Sequence, residues 1–357
     1  MKQNTLIRNH DYGSAALSSA IVFIYHAIAS SSLLKSCKKE TETTTVDPEL
    51  KELTFGILTT ELAEDLESNW NPFLADLSTA IGLPVKPFFA TQYSSLIEAM
   101  RADVIQLAWF GGKVYIEAAK LADAEAFVST VSSQGERGYY AHLITHRDHP
   151  WLKNAQAENK VQYLLNKENA QNLGFAFNDL NSTSGYLVPM YYIFAENSIN
   201  PLQHFKKVSF LGSHEATVSA IAEQQVDIAT NNSEGLARFQ EKFPDKYQDV
   251  IIVWTSPMIP SDPIAYDSEL PEELKQKIRD FFLTYQDQSV LNNLDWSKFE
   301  AATDKDWDPI RELNIGQQIL EIQQNQAIAE TEKQNILEGL RQQLDQLHTE
   351  HPPDSEL

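Results

Sequence analysis

Two short segments of the sequence combine the residue types that bind small anions. The first, residues 181–185, reads Asn-Ser-Thr-Ser-Gly and precedes an apolar stretch that contains Pro189 near its start. Ser, Thr and Asn are preferred helix caps, and proline is tolerated in the first turn of a helix. A helix also needs only one cap, whereas this segment offers four candidates in a row. The residues alone leave two interpretations open: plain capping, or hydroxyls and backbone N–H groups that hold a tetrahedral oxyanion at the positive end of a helix.

A second segment repeats the arrangement. Residues 211–214 read Leu-Gly-Ser-His, which predicts a strand end, a glycine, a helix cap and a histidine in the first turn. The imidazole of His214 can donate to an anionic oxygen, but it can equally be a polar group with an ordinary partner.

The elements that must position these segments alternate along the chain. Residues 53–58 and 85–89 are short apolar runs typical of buried strands. Between them lies a run with helical spacing, and a second helix is predicted over 96–101. The apolar residues of the first helix are Trp70, Phe73, Leu74 and Leu77. Strands alternating with helices predict an α/β fold with parallel sheets.

A weak internal echo indicates two such units. Residues 105–108 resemble residues 226–229 in character, and the alanines that end them, Ala108 and Ala229, are 121 positions apart. Each run leads into a glycine-rich or polar loop, and ligands of α/β folds bind at such carboxyl ends of strands.

Two further apolar runs, 140–145 and 251–254, are predicted to cross between the units. The second lobe, 148–250, is then an insertion within a first lobe made of 52–147 and 251–308. Two crossing strands form a hinge that allows closure around a ligand.

Composition restricts the classes of partner. The chain has 357 residues, 42% of them apolar, which is enough to build real cores. Its net charge of −22 excludes a nucleic-acid partner, because neutralising phosphates requires clustered Lys and Arg.

The N-terminal residues are predicted to be a secretory signal followed by a tether. Lys2 and Arg8 precede an apolar run, and the single cysteine, Cys37, follows that run. A lone cysteine excludes a disulfide framework, and its position resembles a bacterial lipoprotein box, although Lys35 departs from that pattern. Residues 1–37 are therefore predicted to be a signal peptide whose Cys37 is lipidated; an ordinary signal peptide with an incidental cysteine is the alternative. Residues 38–51 are predicted to be a flexible linker.

Residues 309–357 are predicted to form two amphipathic helices and a frayed tail. Their apolar stripe recurs at three- and four-residue spacing and comprises Ile315, Ile319, Ile322, Leu337, Leu340, Leu344 and Leu347. The stripe either packs on the chain's own lobe or forms a homodimer.

From Phe55 to about Trp296 the sequence resembles the periplasmic phosphonate-binding proteins of ABC importers. The segments that carry the resemblance are 88–93, 108–111, 181–189, 212–215, 229–234 and 256–264. The resemblance implies a type II periplasmic binding protein: two α/β lobes joined by two crossing hinge strands, here with a C-terminal helical extension.

The resemblance also implies a set of ligand-binding residues. The hydroxyls and amides of Ser182, Thr183 and Ser184 would hold the phosphonate oxygens, and Tyr93 and His214 would complete that shell. Glu234 and Asp262 would receive a ligand ammonium, as in 2-aminoethylphosphonate. Phe110 is interpreted as an aromatic wall that replaces a second tyrosine of the family, so one hydroxyl to the phosphonate would be missing.

The implied function is that of an extracytoplasmic solute-binding protein, in the periplasm or at the surface of a bacterium. It would capture its ligand and deliver it to the permease of an ABC importer. No cofactor and no metal are expected. Phosphite or phosphate as the ligand, and a sensor subunit for a membrane kinase, remain alternatives. An enzyme is disfavoured because the common catalytic motifs are absent from the sequence. His142, His146 and His149 are not expected to bind a metal, since their stretch is predicted to be a strand and a turn.

Overall fold

The computed structural model describes residues 50–59, 66–155 and 160–350. The predicted signal peptide, Cys37 and nearly all of the predicted linker lie outside these residues. The described residues from Lys51 onward belong to one unit. Within that part of the chain, no helix is both long enough and apolar enough to span a membrane.

The first lobe is built on a six-stranded sheet. Its strands are β1 (Leu53–Leu58), β2 (Val85–Ala90), β3 (Leu107–Trp109), β4 (Ala124–Ser132), β10 (Pro263–Asp267) and β11 (Trp296–Ala301). Their order in the sheet is β11-β4-β10-β3-β1-β2.

The second lobe is built on a five-stranded sheet. Its strands are β5 (Gly138–His146), β6 (Gly174–Phe177), β7 (Lys207–Phe210), β8 (Ile228–Asn232) and β9 (Val250–Pro260). Their order is β7-β6-β8-β5-β9.

Helices flank both sheets. Those of the first lobe are α1 (Leu66–Ile81), α2 (Tyr93–Arg101), α3 (Gly112–Leu121), α11 (Glu272–Thr284) and α12 (Gln288–Asn293). Those of the second lobe are α4 (Trp151–Asn154), α5 (Lys160–Leu165), α6 (Lys167–Ala170), α7 (Pro201–His204), α8 (His214–Ala222), α9 (Ser233–Lys242) and α10 (Pro244–Tyr247). Two π-helical turns, Thr183–Leu187 and Met190–Ala195, follow β6 and are called the 183–195 helix. The C-terminal part contains a 3₁₀ turn (Asp304–Trp307), α13 (Asp308–Gln324) and α14 (Glu330–Glu350).

The predicted α/β architecture is confirmed, but the sheets are mixed rather than parallel. β1 pairs in parallel with β2 and β3, and β6 pairs in parallel with β7 and β8. The strands next to the passages between lobes, among them β5, β9 and β10, pair antiparallel. β5 and β9 carry the chain into and out of the second sheet, so they run in opposite directions. β10, which carries the chain back into the first sheet, runs antiparallel to β3 and β4.

The chain passes from the first sheet to the second between β4 and β5, and it returns between β9 and β10. The runs 140–145 and 251–254 both lie in the second sheet, where β5 and β9 pair with each other from Gly138 opposite Pro260 to His146 opposite Val250. The predicted lobe boundaries, 147/148 and 250/251, fall at the end of the β5–β9 pair that is farther along the chain from the first sheet. These boundaries remain a prediction.

Aromatic side chains link the elements of the first-lobe core. The ring of Trp70 in α1 lies 5.6 Å from that of Phe55 in β1. The ring of Phe282 in α11 lies 5.4 Å from that of Phe73 and 4.8 Å from that of Phe299. Such edge-to-face pairs add directional contacts to the burial of large apolar surface.

The two C-terminal helices pack against each other, and α13 also contacts α3 of the first lobe and the 183–195 helix of the second. Leu337 and Leu340 of α14 are only 3% and 4% exposed. Of the two interpretations of the apolar stripe, packing within the chain is therefore observed for these leucines.

Leu340→Ala is expected to lower the free energy of unfolding by about 2 kcal/mol or more, because truncating a buried leucine loses apolar burial and leaves a cavity. Thermal unfolding would measure the effect, with Gln342→Ala at an exposed position of the same helix as the control. Equal melting temperatures for Leu340→Ala and the unmodified protein would contradict this packing. A melting temperature that rises with protein concentration would instead indicate that the leucines hold two chains together.

Candidate ligand-binding site

A cavity between the two lobes gathers most of the residues singled out in the sequence. Its walls are formed by Leu58, Tyr93, Trp109, Gly111, Tyr139, Ser182, Thr183, Ser184, His214, Asn232, Glu234, Arg238 and Asp262. The lining residues lie at strand ends: Leu58 ends β1, Trp109 ends β3, and Asn232 ends β8. This is the edge at which α/β sheets bind ligands, as the internal echo in the sequence predicts.

The first turn of the 183–195 helix settles the question of capping. The hydroxyl of Ser182 accepts a hydrogen bond from the backbone N–H of Gly185 at 3.0 Å, so one residue caps the helix. Thr183 Oγ1 instead accepts from the backbone N–H of Lys113 at 2.9 Å, and Ser184 Oγ accepts from Asn232 Nδ2 at 3.3 Å. Two of the three hydroxyls are therefore not used for capping, and all three are buried at the cavity wall.

Position 185 has room only for a glycine. A Cβ atom at this position would lie 2.3 Å from Asn178 Cβ, and the carbonyl of Gly185 accepts from the hydroxyl of Thr230 at 2.7 Å. The start of the helix is thus fixed directly against the end of β6 and against β8. The helix continues with the wide π-type bond from Leu187 N–H to the Ser182 carbonyl, 3.1 Å long.

His214 occupies the first turn of α8, as predicted, and Ser213 caps that helix by accepting from Ala216 N–H at 3.0 Å. The imidazole is 3% exposed, and its Nδ1 has no hydrogen-bond partner among the described residues. Burial, followed by the nearby charge of Arg238, lowers the pKa of His214 to about 3. The ring is therefore neutral at physiological pH, and it offers one N–H donor to a ligand.

Two first-lobe side chains, Tyr93 and Trp109, also line the cavity. The hydroxyl of Tyr93 lies 3.5 Å from Ser182 Oγ, and burial raises the pKa of Tyr93, so the phenol keeps its proton. Trp109 Nε1 is buried and, within the described residues, has no hydrogen-bond partner. Buried donors without a partner are costly, so their presence in a cavity points to a ligand or water that satisfies them.

The cavity lining also carries two carboxylates, those of Glu234 and Asp262. Burial, followed by the charge of Glu234, raises the pKa of Asp262 well above its ordinary value. Asp262 accepts hydrogen bonds from the hydroxyl of Tyr139 at 3.3 Å and from the backbone N–H of Gly112, and both oppose that rise. A ligand cation placed here would favour the ionised carboxylates.

Arg238 lies one helical turn after Glu234 in α9 and lines the same cavity. Its guanidinium also reaches Asp295 of the first lobe, with 3.5 Å between Nη1 and Oδ2. The sequence analysis missed this residue, although its four-residue spacing from Glu234 places both on one helix face.

Seven of the eight residues predicted to bind ligand line the cavity; Phe110 does not. Its side chain is fully buried in the hydrophobic cluster that also contains Tyr115 and Trp307. The second tyrosine of the cavity is Tyr139, at the start of β5, which the sequence analysis missed. The missing hydroxyl inferred from Phe110 stays a prediction, and the Tyr139 hydroxyl is a further phenol in the cavity. The signal that was overlooked is that Tyr139 begins a strand at the passage between the lobes.

The three histidines considered for a metal have other partners. His142 and His146 lie in β5, where Nδ1 of His142 is 3.1 Å from Thr255 Oγ1 and Nδ1 of His146 accepts from the backbone N–H of Asp148. His149 lies in the turn after β5, and its Nε2 is 2.7 Å from Asp227 Oδ1. Over residues 50–59, 66–155 and 160–350, the structure contains no cluster of three or more His, Cys, Asp or Glu side chains suited to holding a metal ion.

Comparison with known proteins identifies the family. A family model described as the periplasmic substrate-binding protein of a phosphonate ABC transporter matches residues 55–307. The chain belongs to this family. Members of the phosphonate-binding family are binding components of ABC transporters rather than enzymes, and the family is periplasmic.

Individual relatives agree with this assignment to the phosphonate-binding family. A phosphonates-binding periplasmic protein of Escherichia coli K12 is 37% identical over 301 residues, which cover 83% of this chain and 86% of the relative. The crystal structure of a binding component of a Pseudomonas aeruginosa ABC phosphonate transporter is 39% identical, with a TM-score of 0.76, over 84% of this chain and 97% of that one. A Prochlorococcus marinus protein solved with methylphosphonate is 20% identical, has a TM-score of 0.64, and shares the fold over 74% of this chain and 97% of its own. The predicted type II periplasmic binding fold is thereby confirmed.

Asp262→Asn is expected to stabilise the ligand-free protein at neutral pH. Because the pKa of Asp262 is raised in the folded state, the folded state binds a proton more tightly than the unfolded state does. The contribution of this proton to the free energy of unfolding is complete below the ordinary pKa of an aspartate. It is lost as the pH rises through the raised pKa of Asp262 in the folded state. A neutral amide avoids that loss, so the gain in melting temperature should be larger at pH 8 than at pH 5.

Thermal unfolding in a phosphate-free buffer would measure this gain, with Asp345→Asn on the exposed face of α14 as the control. An equal or lower melting temperature for Asp262→Asn at pH 8 would show that burial does not penalise this carboxylate.

Proposed function

We propose that the cavity binds a small phosphonate, with the phosphonate oxygens at the serine-threonine end and an amino group at the carboxylate end. The leading candidate is 2-aminoethylphosphonate, captured between the lobes for uptake by an ABC importer. The observation that carries this proposal is the make-up of the cavity lining, which combines the neutral donors of segment 182–184 with two carboxylates, Glu234 and Asp262.

The donor end suits an oxyanion without any basic side chain in the 182–184 segment. The hydroxyls of Ser182, Thr183 and Ser184 lie at the N-terminus of a helix, where the dipole and free backbone N–H groups favour negative charge. Tyr93 and neutral His214 add one donor each. A phosphonate dianion leaving water needs this many donors, because an unpaired charge in a buried site is strongly disfavoured.

The acid end suits an ammonium group. Burial, and after it repulsion from the charge of the neighbouring Glu234, raises the pKa of Asp262 above its ordinary value. A cation between them removes that repulsion and forms charge-assisted hydrogen bonds. A methylphosphonate, phosphite or phosphate ligand brings no cation to these acids, which ranks these ligands lower.

Titration calorimetry against four ligands tests the proposal. The unmodified protein should bind 2-aminoethylphosphonate more tightly than methylphosphonate, phosphite or phosphate. Glu234→Gln should weaken binding of the aminated ligand by about 2–5 kcal/mol, the range for breaking a buried charge pair, and should change methylphosphonate binding little or improve it. Glu241→Gln, at an exposed position of the same helix, is the matched control.

A preference for phosphate or phosphite in the unmodified protein would refute the aminated phosphonate as ligand. An equal loss for both phosphonates in Glu234→Gln would mean that this carboxylate does not receive the amino group.

We further propose that the mature protein is anchored to the membrane through lipid on Cys37. The lone cysteine follows an apolar run with a basic start, and no cysteine elsewhere in the sequence competes for this role. Stable attachment would then depend on acyl chains rather than on a spanning helix.

In cells fed a labelled fatty acid, the unmodified protein should incorporate label, and Cys37→Ser should lose the label and appear in the soluble fraction. Absence of label from the unmodified protein would favour the ordinary signal peptide and indicate that Lys35 disrupts the lipoprotein box. A homodimer through the C-terminal helices remains a further prediction; the burial of Leu337 and Leu340 within one chain weakens its basis, and static light scattering would decide it.

A further inference from the structure

Lys113 joins the first lobe to the anion-binding segment of the second lobe by two hydrogen bonds. It lies in the first turn of α3, two residues after the cavity residue Gly111. Its backbone N–H donates to Thr183 Oγ1 at 2.9 Å, and its side-chain Nζ donates to the carbonyl of Leu180. One residue of the first lobe thus fixes both ends of the short segment 180–183.

The first of these bonds determines what Thr183 can offer a ligand. A hydroxyl has one hydrogen to donate and accepts through its lone pairs. Because the Lys113 N–H uses the oxygen as an acceptor, the hydrogen of the Thr183 hydroxyl points elsewhere. The hydroxyl of Tyr139 is a hydrogen-bond neighbour of Thr183, and both side chains line the cavity, where an anionic oxygen would receive that hydrogen.

The second bond is embedded in a small polar cluster beneath the C-terminal helix α13. The Nζ atom lies 5.1 Å from the ring centroid of Tyr186, in the geometry of a cation–π contact. Burial lowers the pKa of Lys113, whereas the carboxylates of Glu117, Glu321 and Asp179 oppose that shift and favour the ammonium. Glu321 comes from α13 and is itself oriented by Gln317, whose Nε2 donates to its Oε1 at 2.8 Å.

α13 is held against both lobes on either side of this cluster. A Cβ atom on Gly112 would lie 3.4 Å from Ile310 Cγ1, which places the start of α13 on the first lobe. A Cβ atom on Gly316 would lie 2.6 Å from Tyr191 Cε2, which places the next turns on the second lobe. The helix that supplies Glu321 therefore sits across the line where the lobes meet.

We propose that Lys113 is a positioning residue of the ligand site: its side chain holds segment 180–183 against the first lobe in the closed arrangement. The inference rests on the proposed role of Thr183 in binding the ligand oxyanion. A contact made only in the closed arrangement raises the population of the binding-competent state, and apparent affinity scales with that population.

Three variants test the proposal by calorimetry with 2-aminoethylphosphonate and methylphosphonate. Lys113→Met keeps the aliphatic stem but removes the donor to Leu180, and it should raise the Kd for both ligands about tenfold. The loss should be equal for the two ligands, unlike that of Glu234→Gln, because Lys113 acts on the oxyanion end. Lys113→Arg should restore most of the affinity, and Lys120→Met, at the exposed end of α3, should leave it unchanged.

Hydrogen exchange of the ligand-free protein gives a second readout that needs no ligand. Amides in residues 178–187 should exchange faster in Lys113→Met than in the unmodified protein or in Lys120→Met. If Lys113→Met does not fold, Glu321→Gln, which leaves Lys113 in place, should show the same two effects to a smaller extent.

Unchanged affinity together with unchanged exchange in the folded variants would overturn the proposal. A lower melting temperature with unchanged affinity and exchange would reduce Lys113 to a purely structural role and would overturn it as well. Failure of the unmodified protein to bind either phosphonate would instead refute the proposed ligand, and the exchange comparison would still decide the role of Lys113.

Discussion

The transfer of a small, highly charged anion out of water is the constraint on which the site depends. A buried phosphonate must recover inside the protein the hydrogen bonds it gives up in solvent. In the proposed site this demand is met by neutral donors that line the cavity, Ser182, Thr183, Ser184, Tyr93 and His214, rather than by a lysine or arginine placed in the serine-threonine segment. Such donors need no counter-ion when the cavity is empty, so their cost in the ligand-free state is mainly that of unsatisfied polar groups.

The same demand explains why the site lies between two lobes. No single helix N-terminus supplies enough donors, so the first turns of the 183–195 helix and α8 face one cavity, and first-lobe residues close it. The polar contacts that cross the gap, from Lys113 to Thr183 and from Arg238 to Asp295, form only when the lobes come together. Affinity and closure are therefore two aspects of one equilibrium.

The sequence predicts the donors better than it predicts their surroundings. Four consecutive capping residues and the strand-helix alternation identify segment 181–185 and the fold, because capping and hydrophobic periodicity are local properties. Phe110 was misplaced because neighbouring residues at a strand end face opposite sides: Trp109 and Gly111 line the cavity, while Phe110 enters the core. Tyr139 and Lys113 were missed because their contacts depend on how two distant parts of the chain come together, which local patterns do not encode.

A crystal structure of the protein with 2-aminoethylphosphonate would test the central claim most directly. The account predicts phosphonate oxygens within hydrogen-bond distance of Ser182, Thr183 and Ser184, and the ligand nitrogen between Glu234 and Asp262. A ligand bound in the reverse orientation, or bound outside the cavity between the lobes, would contradict it.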